Sequence, residues 1–342
     1  KPIIDTLDRQ LDYHIVGVTH DKNGKPQYER SAFLRNSRDF GVPQNRPRVY
    51  IVAFSRAYFG QHISILPKEA PCKRSRTPVF ENLKDVLDEK VDPRFFLSSG
   101  YLETLEKHIV TQHDKGYGFG YCIVNAPEIK NPIANTLLAT GGSGRERNLI
   151  YDPINGASCA GTSVKGKYSP INDKYIRTMT PNEWGRLQGF IGYAFVDENG
   201  ADQFSFPEGI PNVQKFKQFG NSVTIPVIEE YAIFIQKCCD MMYSSFSEIE
   251  KRIFSMYGNE FLLCSQINKE MSCHLRTETL NRYFDIVYHY KSNRFRVKEL
   301  ASYLNMSAAR ASQIISQLVQ VGCVHHEEDG TYQFEDLLSF SK

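Results

Sequence analysis

The 342-residue sequence contains no apolar run long enough to cross a bilayer, and no signal-peptide pattern opens it. A membrane-spanning role is therefore not expected. Its eight cysteines show no paired metal-ligand spacing: Cys238 and Cys239 are adjacent, and Cys264 and Cys273 stand too far apart for a knuckle. No metal site is expected, and the thiols read as reduced and cytosolic. Net charge is only +2, from 41 Lys+Arg against 39 Asp+Glu, which excludes a global field for nucleic acid. Any basic surface must be local.

What is present is organised in blocks. The length suits two or three domains. Gly41-Val42-Pro43-Gln44-Asn45-Arg46-Pro47-Arg48-Val49-Tyr50-Ile51-Val52 places two arginines two apart, ahead of an alternating apolar run. On an extended chain, residues two apart share a side, so Gln44, Arg46 and Arg48 would line one surface. Pro43 and Pro47 deny that edge a regular helix. Forked guanidiniums there suit phosphate or base-edge oxygens, or else they are simply solvated at the start of a surface strand.

Further on, Glu81 to Asp92 is mainly acidic, with Leu83, Val86 and Leu87 at helical spacing, and reads as a solvated helix bridging domains. From Lys115 to Arg177 the balance reverses, with eight Lys+Arg against four Asp+Glu. That stretch includes Gly116-Tyr117-Gly118-Phe119-Gly120-Tyr121, whose aromatics either fill a small core or stack on bases, Phe119 and Tyr121 favouring the core. The segment from Ala134 to Asn148 runs as a short strand into the turn Gly141-Gly142-Ser143-Gly144, then Arg145-Glu146-Arg147. Arginine matches guanine O6 and N7, and glutamate can accept from cytosine N4. Arg145, Glu146 and Arg147 are thus candidate base readers. The alternative is phosphate contact alone, or pairing among neighbouring acids.

Two later blocks decide how the first is read: Arg177-Thr178-Met179-Thr180-Pro181-Asn182-Glu183-Trp184-Gly185-Arg186-Leu187-Gln188-Gly189-Phe190, and Lys217-Gln218-Phe219-Gly220-Asn221-Ser222-Val223. With the first block, in this order, they resemble the C-terminal half of bacterial DNA cytosine-5 methyltransferases of restriction–modification systems. That family carries a Gln-x-Arg-x-Arg signature, an Arg-Leu-Gln-Gly-Phe helix and a Gly-Asn-Ser-Val turn. The resemblance implies an α/β fold: the C-terminal part of an S-adenosylmethionine-dependent, Rossmann-like methyltransferase domain, with a small mixed target-recognition domain. By the same resemblance, Arg48 contacts the O2 edge of a flipped cytosine, Arg46 holds the adjacent phosphate and Gln44 braces the loop. Gly220, Asn221 and Ser222 close over S-adenosylmethionine, with Gly220 permitting the turn. Thr136-Leu137 looks like the family's Thr-Leu pair that abuts the DNA, and residues 134–148 are similar to domains reading GC-rich palindromes in a GG…CC frame. Trp184, Arg186, Leu187 and Phe190 read as structural, on a helix started by Thr180-Pro181 and Glu183. Double-stranded DNA is the implied partner and the bacterial cytoplasm the implied location.

The family also needs a nucleophilic cysteine in Pro-Cys-Gln, a glutamate in Glu-Asn-Val and a glycine-rich cofactor turn, all before the Gln-x-Arg-x-Arg block. None of the 43 residues before Gln44 is a cysteine. Pro71-Cys72 continues as Lys73 and Glu81-Asn82 as Leu83, on the wrong side of the signature. An N-terminal catalytic half, in cis or as a second subunit, is therefore expected. The apolar spacing of Ile3, Ile4, Leu7 and Leu11 is helical, so the sequence reads as starting inside the catalytic domain. It is then either a truncated reading frame or one subunit of a split enzyme, and Lys rather than Met at position 1 favours truncation.

Beyond about residue 245 the resemblance ends. Leu300, Leu304, Ile314, Ile315 and Leu318 predict helices over 296–304 and 307–321. Residues 322–334, with an Asp329-Gly330 turn, predict a hairpin. Together these are similar to a winged helix, with Ser307, Arg310, Gln313, Gln317 and Gln320 on the outer face of its second helix. Residues 291–342 balance six basic against six acidic side chains, which leaves DNA contact, autoregulation or protein docking open. The expected organisation is 1–66 for the end of the catalytic domain, 67–176 for target recognition, 177–243 for helices returning to the catalytic domain, and 248–342 for the winged-helix-like module. Two functions compete: the recognition half of a cytosine-5 methyltransferase, inactive alone, or a non-catalytic DNA-binding regulator. The retained Gln44, Arg46, Arg48 and Gly220-Asn221-Ser222 favour the first.

Overall fold

In a computed structural model, which describes residues 2–116, 121–140, 145–291 and 293–338, local signals and long-range packing contribute unequally. The helix Pro181–Gln188 starts where its sequence asks. Glu183 N donates to Thr180 Oγ1 at 3.2 Å, Thr180 N donates back to Glu183 Oε2 at 2.7 Å, and Gly189 ends the helix in the left-handed region. The chain divides into two units, Lys1–Ser55 with Leu66–Cys239, and Arg56–Ile65 with Asp240–Lys342. Residues 56–65, counted with the leading segment in the sequence reading, thus group with the second unit.

In the first unit the strands among the described residues are short and pair in twos, with isolated bridges Phe96–Arg177 and Ile123–Leu149 flanking one of the pairs. Tyr13–Ile15 pairs with Ala53–Ser55, Leu34–Asn36 with Pro47–Val49, and Leu149–Tyr151 with Ile176–Thr178, all antiparallel. Gln44–Asn45 runs parallel to Ala134–Asn135. Pro43 and Pro47 bracket that strand and remove the N–H donors a longer ladder would need. The α/β expectation holds as mixed helix and strand; among the described residues no sheet exceeds two strands, so they do not assemble a Rossmann-like layer among themselves.

The main core of this unit gathers Leu83, Val86, Leu137, Ile150, Trp184, Leu187, Phe216 and Phe219. Two of these correct the sequence reading. Residues 81–92 do not form a solvated helix; only the 3-10 turn Leu83–Val86 is helical, and it drives both apolar side chains into the core. Tertiary burial overrides the polar surroundings there. Near the start, residues 2–10 are helical, but Ile4 is buried while Ile3 and Leu11 are exposed.

Beside the core lies a buried charge cluster. Arg177, fully enclosed, donates to Asp152 Oδ2 at 2.8 Å and to Glu183 Oε2 and Oε1 at 2.9 and 2.8 Å. Burial pushes its guanidinium down, yet the Glu183 and Asp152 hydrogen bonds outweigh that and hold it above its ordinary value. Glu183 also accepts from Asp88 N, and Arg186 bonds Asp88 Oδ1 at 2.6 Å. Arg186 is therefore structural, as the sequence suggests, and Arg177 is withdrawn from any basic surface.

A segment near residues 70–80 is strapped to the same unit. Arg35 donates to the carbonyls of Ala70 and Pro71, and Val79 N and Phe80 N donate to Gly41 O. Arg74 and Arg76 bond Glu229 at 3.0 and 2.9 Å, and Tyr193 donates its hydroxyl to the same carboxylate. Burial alone would raise Glu229, but the Tyr193, Arg76 and Arg74 hydrogen bonds lower it to about 2.

The second unit is built from the helices Glu248–Phe254, Gly258–Met271, Thr277–Tyr290, Val297–Tyr303 and Ala308–Gln320, then the hairpin Val324–His326 with Tyr332–Phe334. Its core includes Phe284, Phe295, Leu300, Ala311, Leu318 and Cys323, and the Tyr58 ring stacks on Phe261 at 4.1 Å. Ser307 caps the Ala308–Gln320 helix, and Gly330 takes the left-handed conformation in the hairpin turn. One residue of the expected outer face moves inward. Gln317 is half-buried and accepts from the buried Tyr283 hydroxyl, whereas Ser307, Arg310, Gln313 and Gln320 are exposed. At the hairpin turn, Arg294 pairs with Glu327 and Asp329.

Candidate functional site

Three distant stretches meet at a pocket of about 400 Å³ in the first unit, lined by Arg46 to Tyr50 (omitting Pro47), Leu137 to Ala139, and Gly220 to Val223. Its walls are held by side chains reaching main chain. Arg46 donates to Leu137 O at 2.9 Å, Gly220 O at 3.0 Å and Ser222 O at 2.7 Å, so one guanidinium ties all three stretches together. Thr136 Oγ1 donates to Asn45 O at 2.8 Å, beside the parallel pairing of Asn45 with Asn135.

These contacts revise the expectation that Gln44, Arg46 and Arg48 share one surface. Gln44 and Arg46 are buried and only Arg48 is exposed. The strand breaks at Arg46, between Gln44–Asn45 and Pro47–Val49, because three carbonyls from elsewhere claim its fork. With every terminal nitrogen of Arg46 committed to protein carbonyls, the position does not present a free phosphate hook. Gln44 is enclosed, with both amide atoms lacking a protein partner. Arg48 donates only to Pro47 O, at 2.7 Å, and has no ion pair among the described residues. It is the cation presented to the pocket.

Gly220 is at the site for a different reason than expected. It lies in the last turn of the helix Asn212–Asn221, and a Cβ there would fall 2.4 Å from Leu138 O and 2.7 Å from Ala139 Cα. It permits a close backbone approach rather than a left-handed turn. Asn221 is exposed, while the Ser222 hydroxyl donates to Phe219 O at 2.7 Å.

The electrostatics of the pocket are one-sided. Burial, and then repulsion from Arg48, lowers Arg46 to about 10, and among the described residues no carboxylate lines the cavity. Burial raises the Tyr50 phenol against the pull of both arginines. Two cations without a counter-charge, beside an aromatic ring, suit an electron-rich ligand: a carbonyl edge, a phosphate or a carboxylate. Tyr50, Leu138, Ala139 and Val223 were not singled out from sequence. For Tyr50 the signal existed, since it lies two residues beyond Arg48 on an extended chain.

The other named residues fall elsewhere. Leu137 is fully buried in the core, so Thr136-Leu137 serves the pocket through a hydroxyl and a carbonyl, not through an apolar surface. Glu146 does not stand free to accept from a base, because Tyr101 donates its hydroxyl to Oε1 at 2.7 Å. Arg147 is exposed, in the turn Arg145–Asn148, and has no ion-pair partner among the described residues. The glycine turn 141–144, the Arg145 side chain and residues 117–120, including Phe119, lie outside the described residues. Tyr121 packs against Leu97, Leu102, Leu105, Leu149 and Ile176, which is the core role its composition suggested.

Comparison with known proteins adds identity to this geometry. A family model described as C-5 cytosine-specific DNA methylase matches residues 12–237. The type II methyltransferase M.HpaII of Haemophilus parainfluenzae is 37% identical over 195 residues, covering 57% of this chain and 47% of that protein. M.SsoII of Shigella sonnei is 32% identical over 196 residues, covering 57% and 41%, and the DNA-cytosine methyltransferase of Escherichia coli K12 is 28% identical over 235 residues, covering 68% and 45%. The chain spans less than half the length of each of these curated relatives. Among solved structures, the Entamoeba histolytica methyltransferase EhMeth aligns with a TM-score of 0.41 and 18% identity, over 69% of this chain and 57% of that one.

Proposed function

The chain belongs to the C-5 cytosine-specific DNA methylase family, and from that premise we propose that it supplies the recognition and base-contact part of a DNA (cytosine-5) methyltransferase. The reaction is transfer of a methyl group from S-adenosylmethionine to C5 of a cytosine in a specific, GC-rich double-stranded site. The observation that carries this reading is the pocket, lined by no carboxylate among the described residues, where Arg48, Tyr50, Leu138–Ala139 and Asn221–Val223 converge from three separate stretches.

C5 and C6 are hidden while a cytosine is stacked, so the target must be extruded into a pocket of this kind. There Arg48 donates to the O2 edge, where negative charge accumulates once C6 has been attacked. Arg46 acts from behind, holding the walls, and Gln44 packs beneath the strand. Asn221, exposed at the rim, and the neighbouring Val223 offer an amide and an apolar face that suit S-adenosylmethionine, whose sulfonium makes the methyl electrophilic. Arg147, with Arg145 beside it, is the candidate reader of base edges. The thiolate that attacks C6 comes from an N-terminal half, in cis or as a second subunit, since no Pro-Cys-Gln occurs in the sequence. The bacterial cytoplasm is the expected setting. Residues 248–342 are read as a winged-helix-like module, on the order of two helices, hairpin and the Phe295–Tyr332 bridge.

Labelled methyl transfer to GC-rich DNA, with this chain alone and with an N-terminal half carrying Pro-Cys-Gln, tests the reading. Activity only on mixing is the expected result. In the active mixture Arg48→Ala should lower turnover about 10²–10³-fold with little loss of DNA binding. Silence in both preparations, with specific DNA binding retained, would instead indicate a non-catalytic DNA-binding regulator.

A further inference from the structure

Behind the pocket, a second set of buried polar side chains ties the segment just before Gly41–Val52 to the helix Pro181–Gln188 and to the residue after Val223, and takes no part in the chemistry above. Gln188 ends the helix Pro181–Gln188, Thr224 immediately precedes the helix Ile225–Ser244, and Ser37 opens the turn that follows strand Leu34–Asn36. All three are buried to within 1% of full enclosure. Thr224 Oγ1 donates to Gln188 Oε1 at 2.9 Å, and Ser37 Oγ lies 2.8 Å from Thr224 Oγ1. Each hydroxyl has a single proton, so Thr224, having given its own to Gln188, accepts from Ser37. The relay therefore runs one way, Ser37 to Thr224 to Gln188. Ser37 N then holds Arg46 O at 3.3 Å, which links the relay to the residue whose guanidinium grips Gly220 O and Ser222 O.

Arg46 is thus fixed at both ends, its main chain by Ser37 and its fork by the opposite walls. Thr224 lies two residues beyond Ser222 and fixes the far side of the Gly220–Val223 wall. We propose that Ser37, Thr224 and Gln188 are positioning residues, a hydrogen-bond relay that sets the separation between the Arg46–Tyr50 and Gly220–Val223 walls of the pocket. Replacing the middle member by an apolar isostere leaves Gln188 Oε1 without a donor beside its already unpartnered Nε2, and leaves Ser37 Oγ only its long 3.4 Å bond to Arg46 O, so the walls must part to admit water. The consequence for methyl transfer rests on the function proposed above; the consequence for the walls does not.

The test is amide hydrogen exchange on the full chain for wild type, Thr224→Val, Thr224→Ser and Ser37→Ala. Thr224→Val should speed exchange about tenfold in peptides covering 44–50 and 219–224, leave peptides within 258–290 unchanged, and be reversed by Thr224→Ser. Ser37→Ala, the milder change at the end of the relay, should move the same two peptides in the same direction. Unchanged exchange in both, or failure of Thr224→Ser to restore it, overturns the relay. In the reconstituted enzyme, Thr224→Val should lower kcat while leaving the Kd for DNA within about twofold, with kcat recovered in Thr224→Ser. A wild-type mixture without methyl transfer counts against the proposed function, and the exchange measurement still decides the relay.

Discussion

Arg46 and Arg177 are both buried in the first unit, and they are held in opposite ways. Arg177 is surrounded by two carboxylates, Asp152 and Glu183, which cancel its charge and tie the Leu149–Tyr151 and Ile176–Thr178 strands to the Pro181–Gln188 helix. Arg46 has only carbonyls around its fork. A carbonyl satisfies a donor without neutralising it, so the charge of Arg46 survives in the pocket wall behind that of Arg48. The paired arginine joins elements; the unpaired one joins walls and also charges the cavity between them. Burial of an ion is thus no guide to its role until its partners are counted.

The largest effect expected from breaking this comparison is at Arg177. Arg177→Met leaves two carboxylates enclosed without a cation and should cost about 3–5 kcal/mol in urea or thermal unfolding of the first unit. A loss under about 1 kcal/mol would show that the cluster relaxes into water and is not the cement described.

Arg46→Lys keeps the charge but not the fork. It should cost about 1.5–3 kcal/mol, less than Arg177→Met, because the three carbonyls it releases are neutral and lie beside a pocket that water can enter. A larger loss at Arg46 than at Arg177, in the same unfolding assay, would invert the comparison.

The smallest effect concerns the strap over residues 70–80. The carboxyl of Glu229 titrates near 2 when folded, below its ordinary value of 4.5, so its stabilising share is complete above about 4.5 and fades as pH falls from there towards 2. Protection factors for residues 70–80, intrinsic exchange rates divided by the observed ones at each pH, should fall across that window and stay flat between pH 6 and 8. A fall in protection confined to higher pH would assign the strap to another group.

Legibility from sequence followed distance along the chain. The Thr180–Glu183 capping box and the Asp329-Gly330 turn depend on neighbours within a few residues, and each is where the sequence puts it, whereas Ser307, read as the first residue of its helix, caps it from just outside. Arg46 was misplaced because its carbonyl partners lie 91, 174 and 176 residues away, beyond any periodicity. The same holds for Glu146, claimed by Tyr101 at a separation of 45, and for Leu83 and Val86, whose spacing suggested a helix while a distant core supplied the burial. The three family blocks were visible as text. That the first and third close one pocket with residues 137–139, through main-chain oxygens, was not.

Those main-chain contacts have a consequence for exchange of parts between related proteins. Gly220 meets Leu138 and Ala139 through backbone atoms, and Arg46 holds residue 137 by its carbonyl. A junction made this way is blind to the side chains that follow it. The side chains at 138 and 139 can therefore differ from one relative to another without refitting that wall, provided the backbone keeps the same path.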